Sequence, residues 1–175
     1  MDGSNIRQLT RDTLESSSIR DLDELSLSDC KIQKVSEEAF SHSLHLTKIN
    51  LAINNLTKLL PRLFTGLDSL ATIILSGNQI SMLAPYQFPP LASLRKIDIS
   101  NNGLRVIDRK AFMNLGTSME VVDIRGNILR TLGRETFFPL HQLKVLSDRF
   151  DIMFTIASSF SMFFSWTILG AVTAI

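Results

Sequence analysis

The sequence predicts an α/β-type solenoid: short strands stacked into a parallel β-sheet on a concave face, with turns and short helical or 3-10 segments on the convex side. Three columns of residues carry this expectation. Phe40, Phe64, Phe88 and Phe112 stand 24 residues apart, and Phe137 follows after 25. Asn54, Asn78 and Asn102 keep the same step, with Asn127 after 25. Strand-starting apolar residues recur at Leu22, Leu46, Leu70, Leu94, Met119 and Leu143. A fixed period of this size marks stacked repeats, and three independent columns agree on it.

Within one period, Leu70, Ile73, Leu75, Asn78, Ile80, Leu83, Phe88 and Leu91 mark the unit. Strand alternation sends Ile73 and Leu75 to one face and Thr72, Ile74 and Ser76 to the other. The first face becomes core only when neighbouring units stack, since no single unit can bury it alone. This pattern resembles the leucine-rich repeat. Clean copies start at Leu46, Leu70, Leu94 and Met119, and a further copy at Leu22 puts Cys30 where the others have asparagine, a substitution the family shows. The resemblance covers roughly residues 19 to 146. It implies a structural ladder of Cys30, Asn54, Asn78, Asn102 and Asn127, in which the asparagine amides both donate and accept and so bond the backbone of adjacent turns. The 24-residue type with a Phe column resembles Toll-like, slit-like and chaoptin-like cell-surface proteins.

In chain order, residues 1–21 read as a partial first repeat, because Ile6, Leu9, Leu14 and Ile19 match the second half of a unit. Residues 22–146 hold the repeats, with a one-residue insertion near Gly116-Thr117-Ser118 in a turn that can absorb it. Residues 147–151 are a junction where the pattern stops. Neither a cysteine-rich cap nor a polar helix shields the stack, so the chain is expected to be a fragment or a reduced family member.

Residues 152–175 form a candidate transmembrane helix: 24 residues without charge or proline, 16 of them apolar. As a helix they would span ~36 Å, enough to cross a bilayer. A buried cap over the last repeat is the alternative, but four phenylalanines, a tryptophan and two methionines exceed what one small solenoid end can cover. A gene-model artefact and a cleaved lipid-anchor signal are lesser readings; the anchor signal lacks its polar spacer. The N-terminus lacks a secretory pattern, and Lys144 and Arg149 precede the span with nothing charged after it, which favours repeats on the cytosolic face of a tail-anchored protein. The resemblance implies the opposite, extracellular repeats.

The chemistry-bearing residues point away from catalysis. Net charge is +1, so no global basic field exists to attract nucleic acid. Cys30 is the only cysteine, which excludes an intrachain disulfide and a cysteine-based zinc cluster. His42 and His45 form a His-x-x-His pair in a turn without a third ligand nearby, and Cys30 lacks a partner histidine. Glu37-Glu38 and Asp21 with Asp23 read as solvated surface, no phosphate-binding loop is present, and no enzyme, metal or cofactor is expected.

Binding is expected on the concave face. The central lane is Ser26, Asn50, Ile74, Asp98 and Asp123. Glu24, Lys48, Thr72, Lys96 and Val121 flank it on one side; Ser28, Ala52, Ser76, Ser100 and Arg125 flank it on the other. Lys96, Asp98, Asp123 and Arg125 are expected to form a charged cluster, and Asn55 heads a glycosylation acceptor triplet, Asn55-Leu56-Thr57. The expected function is a membrane-attached module that recognises a protein ligand or co-receptor in adhesion or receptor-type binding. An intracellular tail-anchored or soluble adaptor is the alternative, and a non-functional receptor fragment a third reading.

Overall fold

The structure, a computed structural model, describes residues 6–15, 22–130 and 132–147. The chain opens with β1 (Gln8–Leu9), a one-turn helix α1 (Arg11–Glu15), β2 (Glu24–Ser26) and β3 (Lys34–Val35). It continues through β4 (Lys48–Asn50), β5 (Thr72–Ile74), β6 (Met82–Leu83), β7 (Lys96–Asp98), β8 (Val106–Ile107), β9 (Val121–Asp123) and β10 (Val145–Ser147). Strands β2, β4, β5, β7, β9 and β10 form one parallel six-stranded sheet in that order. Its register repeats the sequence period: Leu25, Ile49, Ile73, Ile97, Val122 and Leu146 are successive Cα partners. The 25-residue step from Ile97 to Val122 shows that the extra residue is taken up outside the sheet.

Each strand of the main sheet is three residues long, set between the entering turn and the inward bend. In β2, β4, β5 and β7 the middle residue is buried and the outer two face outward, the alternation that a pleated strand imposes. Inside, Leu25 through Leu140 form one continuous aliphatic and aromatic cluster. The five phenylalanines stack at centroid separations of 6.2, 6.3, 5.9 and 5.6 Å, with neighbouring rings 4 to 21° from parallel. Burying each of these rings or a core leucine is worth roughly 1.5–3 kcal/mol.

A column of buried amides closes each coil onto its neighbour. Asn54 Oδ1 accepts the Cys30 and Ile32 N–H groups at 3.0 and 2.9 Å, while its Nδ2 donates to the carbonyls of Leu27 and Leu51 at 2.8 and 3.0 Å. Asn78 accepts from Leu56 N–H and donates to Leu51 and Leu75, so the Leu51 carbonyl is shared by two successive rungs. Asn102 and Asn127 do the same for Ile80 and Leu104. At the foot of the column the thiol of the buried Cys30 makes a weak bond to Ser28 O at 3.4 Å. Only half a coil lies beneath it among the described residues, where Leu9 pairs with Val35.

The side opposite the main sheet differs from expectation. The short helical segments are there, α1 and 3-10 turns at Met113–Leu115 and Arg134–Phe137. Two further parallel ladders join them, β1 with β3 and β6 with β8. In these, backbone bonds such as Ser36 N–H to Leu9 O (2.9 Å) and Asp108 N–H to Leu83 O (3.0 Å) bridge successive coils. At the corresponding step between Leu59 and Ala84 a side chain takes over: the buried Gln87 accepts from Ala84 N–H at 3.0 Å and donates to Leu59 O at 3.2 Å. The sequence reading passed over Gln87 because a lone glutamine beside a Phe column carries no periodic signal.

Where each coil bends inward, one residue takes a left-handed conformation: Asp29, Ile53, Gly77, Asn101 and Gly126, with φ between 51 and 70°. Glycine, asparagine and aspartate visit this region readily, whereas a β-branched residue there costs roughly 1–2 kcal/mol. Among the described residues no helix is long and apolar enough to cross a membrane. The apolar helix expected over 152–175 lies outside the described residues, as does most of the junction.

Two substitutions test this framework. Asn78→Leu strips the buried Leu56 N–H of its partner and leaves the Leu51 and Leu75 carbonyls only their bonds from Asn54 and Asn102; an orphaned buried group costs about 1–3 kcal/mol, and chemical denaturation should show it destabilising more than any exposed single change. Gln87→Leu orphans Ala84 N–H and Leu59 O without changing the Phe stack, and a thermal melt should drop by roughly 2–4 °C per kcal/mol lost.

Candidate functional site

The main sheet presents three parallel lanes of outward side chains, held about 4.8 Å apart from coil to coil by the strand hydrogen bonds. On the entry flank, Lys48 Nζ donates to Glu24 Oε2 at 2.9 Å, while Thr72 and Val121 are half-buried and Lys96 is exposed. On the exit flank, Ala52 and Ser100 are nearly covered and Arg125 is exposed. Beyond the exit flank lies the left-handed column just described.

The central lane has a recurring local device. Asn50 Oδ1 accepts the N–H of Ala52 at 3.0 Å, Asp98 Oδ1 that of Ser100 at 3.0 Å, and Asp123 Oδ1 that of Arg125 at 3.1 Å. A side chain two residues back thus caps the end of its own strand, the Asx-turn chemistry of short polar side chains. Asn50 also reaches one coil down to Ser26 Oγ at 3.3 Å, and Ser100 Oγ donates to Asp98 at 2.7 Å. Ile74 is the exception in the lane, an apolar side chain with no acceptor to offer.

The four-residue charged cluster expected from the sequence divides into unequal parts. Arg125 folds back on Asp123, with Nε at 3.0 Å from Oδ1 and Nη2 at 2.6 Å from Oδ2. The hydrogen bond to Asp123 and then its charge raise the Arg125 pKa above its ordinary value, burial opposes them, and the charge of Asp98 adds least. The guanidinium is therefore committed to the carboxylate of a buried residue, Asp123 being 8% exposed. Asp98 accepts only from Ser100, and Lys96 enters no ion pair among the described residues.

The remaining candidates are dispersed. Asn55 and Thr57 are exposed, and the Asn55 N–H donates to Ile32 O at 2.8 Å, which holds the acceptor triplet at the edge of the coil. His42 and His45 are exposed in a turn, and among the described residues no three His, Cys, Asp or Glu side chains gather as metal ligands. On the convex side Met113, Phe138 and Pro139 line a shallow depression with Glu135 and His141. The sequence reading missed Ile53 as a rim residue. The signal was present, since the other four members of its column are Asp, Gly, Asn and Gly.

Comparison with known proteins agrees with this geometry. A family profile described as leucine rich repeat matches residues 20–80 and 92–147. A search of curated proteins returned no match. Among solved structures, the APL1 leucine-rich repeat domain is similar at 24% identity and TM-score 0.70, over 80% of this chain and 35% of that one. TLR13, solved in a complex with the RNA ssRNA13, is similar at 27% identity and TM-score 0.72, over 81% of this chain and 19% of that one. The chain therefore spans about a third or less of the length of these two structures.

Proposed function

Because this chain belongs to the leucine-rich repeat family, we propose that it is a non-catalytic recognition module whose concave sheet face takes a protein ligand or co-receptor. The observation that carries this reading is the face itself: six in-register strands present side chains on a rigid, continuous lattice. Lys48, Asn50, Thr72, Ile74, Lys96, Asp98, Ser100, Val121, Asp123 and Arg125 are the proposed contact positions. Such a surface binds through shape and many small contacts, with affinity concentrated in a few apolar or hydrogen-bonding anchors. The RNA bound by the similar TLR13 structure raises a nucleic-acid alternative. Phosphate recognition draws on several uncompensated Lys and Arg, whereas here Lys48 and Arg125 are engaged by Glu24 and Asp123, and among the proposed contact positions Lys96 is left as a lone cation. Charge on this face thus supports a protein partner.

We also propose membrane attachment through residues 152–175, with the repeats on the extracellular side in an adhesion or receptor-type role. The uncharged 24-residue run supports the span, and the exposed Asn55 triplet fits repeats that meet the glycosylation machinery. Lys144 and Arg149 before the run favour a second reading, a tail-anchored adaptor with cytosolic repeats.

Two experiments separate these readings. Reversing charge at two outward positions, Lys96→Glu with Asp98→Arg, should abolish capture of the protein ligand while shifting stability by less than ~1 kcal/mol. For topology, intact cells expressing the full chain should yield repeats digested by external protease and a band shortened by N-glycosidase, lost in Asn55→Gln; protected, unglycosylated repeats would support the cytosolic arrangement.

A further inference from the structure

Ile53 departs from the logic of its own column. The backbone must be left-handed there, because Ile53 N–H reaches across to Ser76 O at 2.8 Å as part of the coil-to-coil bonding. Its φ of +55° is one that a β-branched residue adopts only under constraint. The side chain gains little burial from the fold in return, for it is 61% exposed. Neighbouring coils place Asp29 and Gly77 at the same point. A Cβ at Gly77 would lie 3.5 Å from Ile53 Cα and Cγ1, so a side chain there would shelter the isoleucine, and glycine leaves it open. A strained, uncovered apolar side chain at the rim of a recognition face is a feature whose benefit lies outside the folded chain.

The surroundings indicate what would meet it. Ile74, in the adjacent coil, extends the apolar surface into the central lane. Across the central lane, the exit flank and the left-handed column, the charges in coils up to Asn101 are Asp29, one coil before Ile53, and Asp98, one coil after Ile74. The cation farther along, Arg125, is closed onto Asp123. This half of the face is thus an apolar centre bracketed by carboxylates, while Glu24, Lys48 and Lys96 occupy the opposite flank.

The geometry points to Ile53 as the apolar anchor of the interface, seating an exposed aliphatic or aromatic side chain of a protein partner whose neighbouring positions carry Lys or Arg. This deepens the recognition reading and rests on it. The strain is retained because the anchor is used, so stability and binding respond in opposite directions to its removal.

The test pans the full chain against a phage-displayed library of random peptides and measures the selected peptides on variants. The expected result is enrichment of an apolar residue next to Lys or Arg, with binding at least ~10-fold weaker to Ile53→Asn, about 1.4 kcal/mol. Binding to Asp98→Asn should weaken as well. Ile53→Asn should also melt roughly 2–4 °C higher, since asparagine accepts the left-handed backbone, whereas Ile53→Val keeps the strain and should not gain stability. Peptides that bind Ile53→Asn as well as the parent but fail on Lys96→Glu with Asp98→Arg would overturn the anchor and leave the recognition face standing, as would an Ile53→Asn melt that does not rise. No peptide sensitive to either variant, or capture of a single-stranded RNA oligonucleotide in place of peptide, would overturn both.

Discussion

The structure depends on one requirement: a coil that bends inward to bury its leucines also buries backbone N–H and C=O groups that a strand ladder cannot reach. A buried group left unbonded costs enough to cancel the burial of a side chain. The asparagine column meets the requirement because one amide both accepts and donates. Asn54 accepts two N–H groups from the coil before it and donates to carbonyls of its own and the previous coil. An aspartate at that point would bring a buried charge and no donor, and a serine would be too short to serve both sides. The aliphatic core, the flat stack of phenylalanines and the three-residue strands all presuppose that these bends are closed.

The same requirement explains why the outer face is free to vary. Once the amides and strands hold the coils in register, outward positions carry almost no folding duty beyond capping their own strand ends, as Asn50, Asp98 and Asp123 do. Ile74 stands in the same lane without that bond, and the sheet continues past it unbroken. Variation there changes what the surface can hold and leaves the stack intact. Arg125 shows the limit of reading charge from composition alone. In sequence it adds a cation to the face, but in space its guanidinium neutralises Asp123 and leaves Asp98 as the more available charge.

Much of this was legible before the fold was known, and for a physical reason. A repeat writes each structural demand several times at a fixed spacing, so the Phe column, the amide column and the alternation around Ile73 and Leu75 reinforce one another. The features that were not legible occur once. Gln87 replaces a backbone bridge at a single step, and nothing in the neighbouring coils announces it. The small ladders of β1 with β3 and β6 with β8 depend on backbone direction at two-residue segments, which side-chain pattern does not specify. Ile53 stood in plain view as the odd member of a Gly, Asn and Asp column, but its meaning required knowing that the column is left-handed.

The constant step between bonded strands also bears on how the chain finds its structure. Every pairing in the main sheet joins residues one period apart, 24 or 25 positions in sequence. Closing a loop of that size costs modest entropy, and each added coil pays it afresh against a template already in place. Folding can therefore begin at any adjacent pair and spread toward both ends like a crystal growing layer by layer, with the terminal layers the last to set and the first to melt.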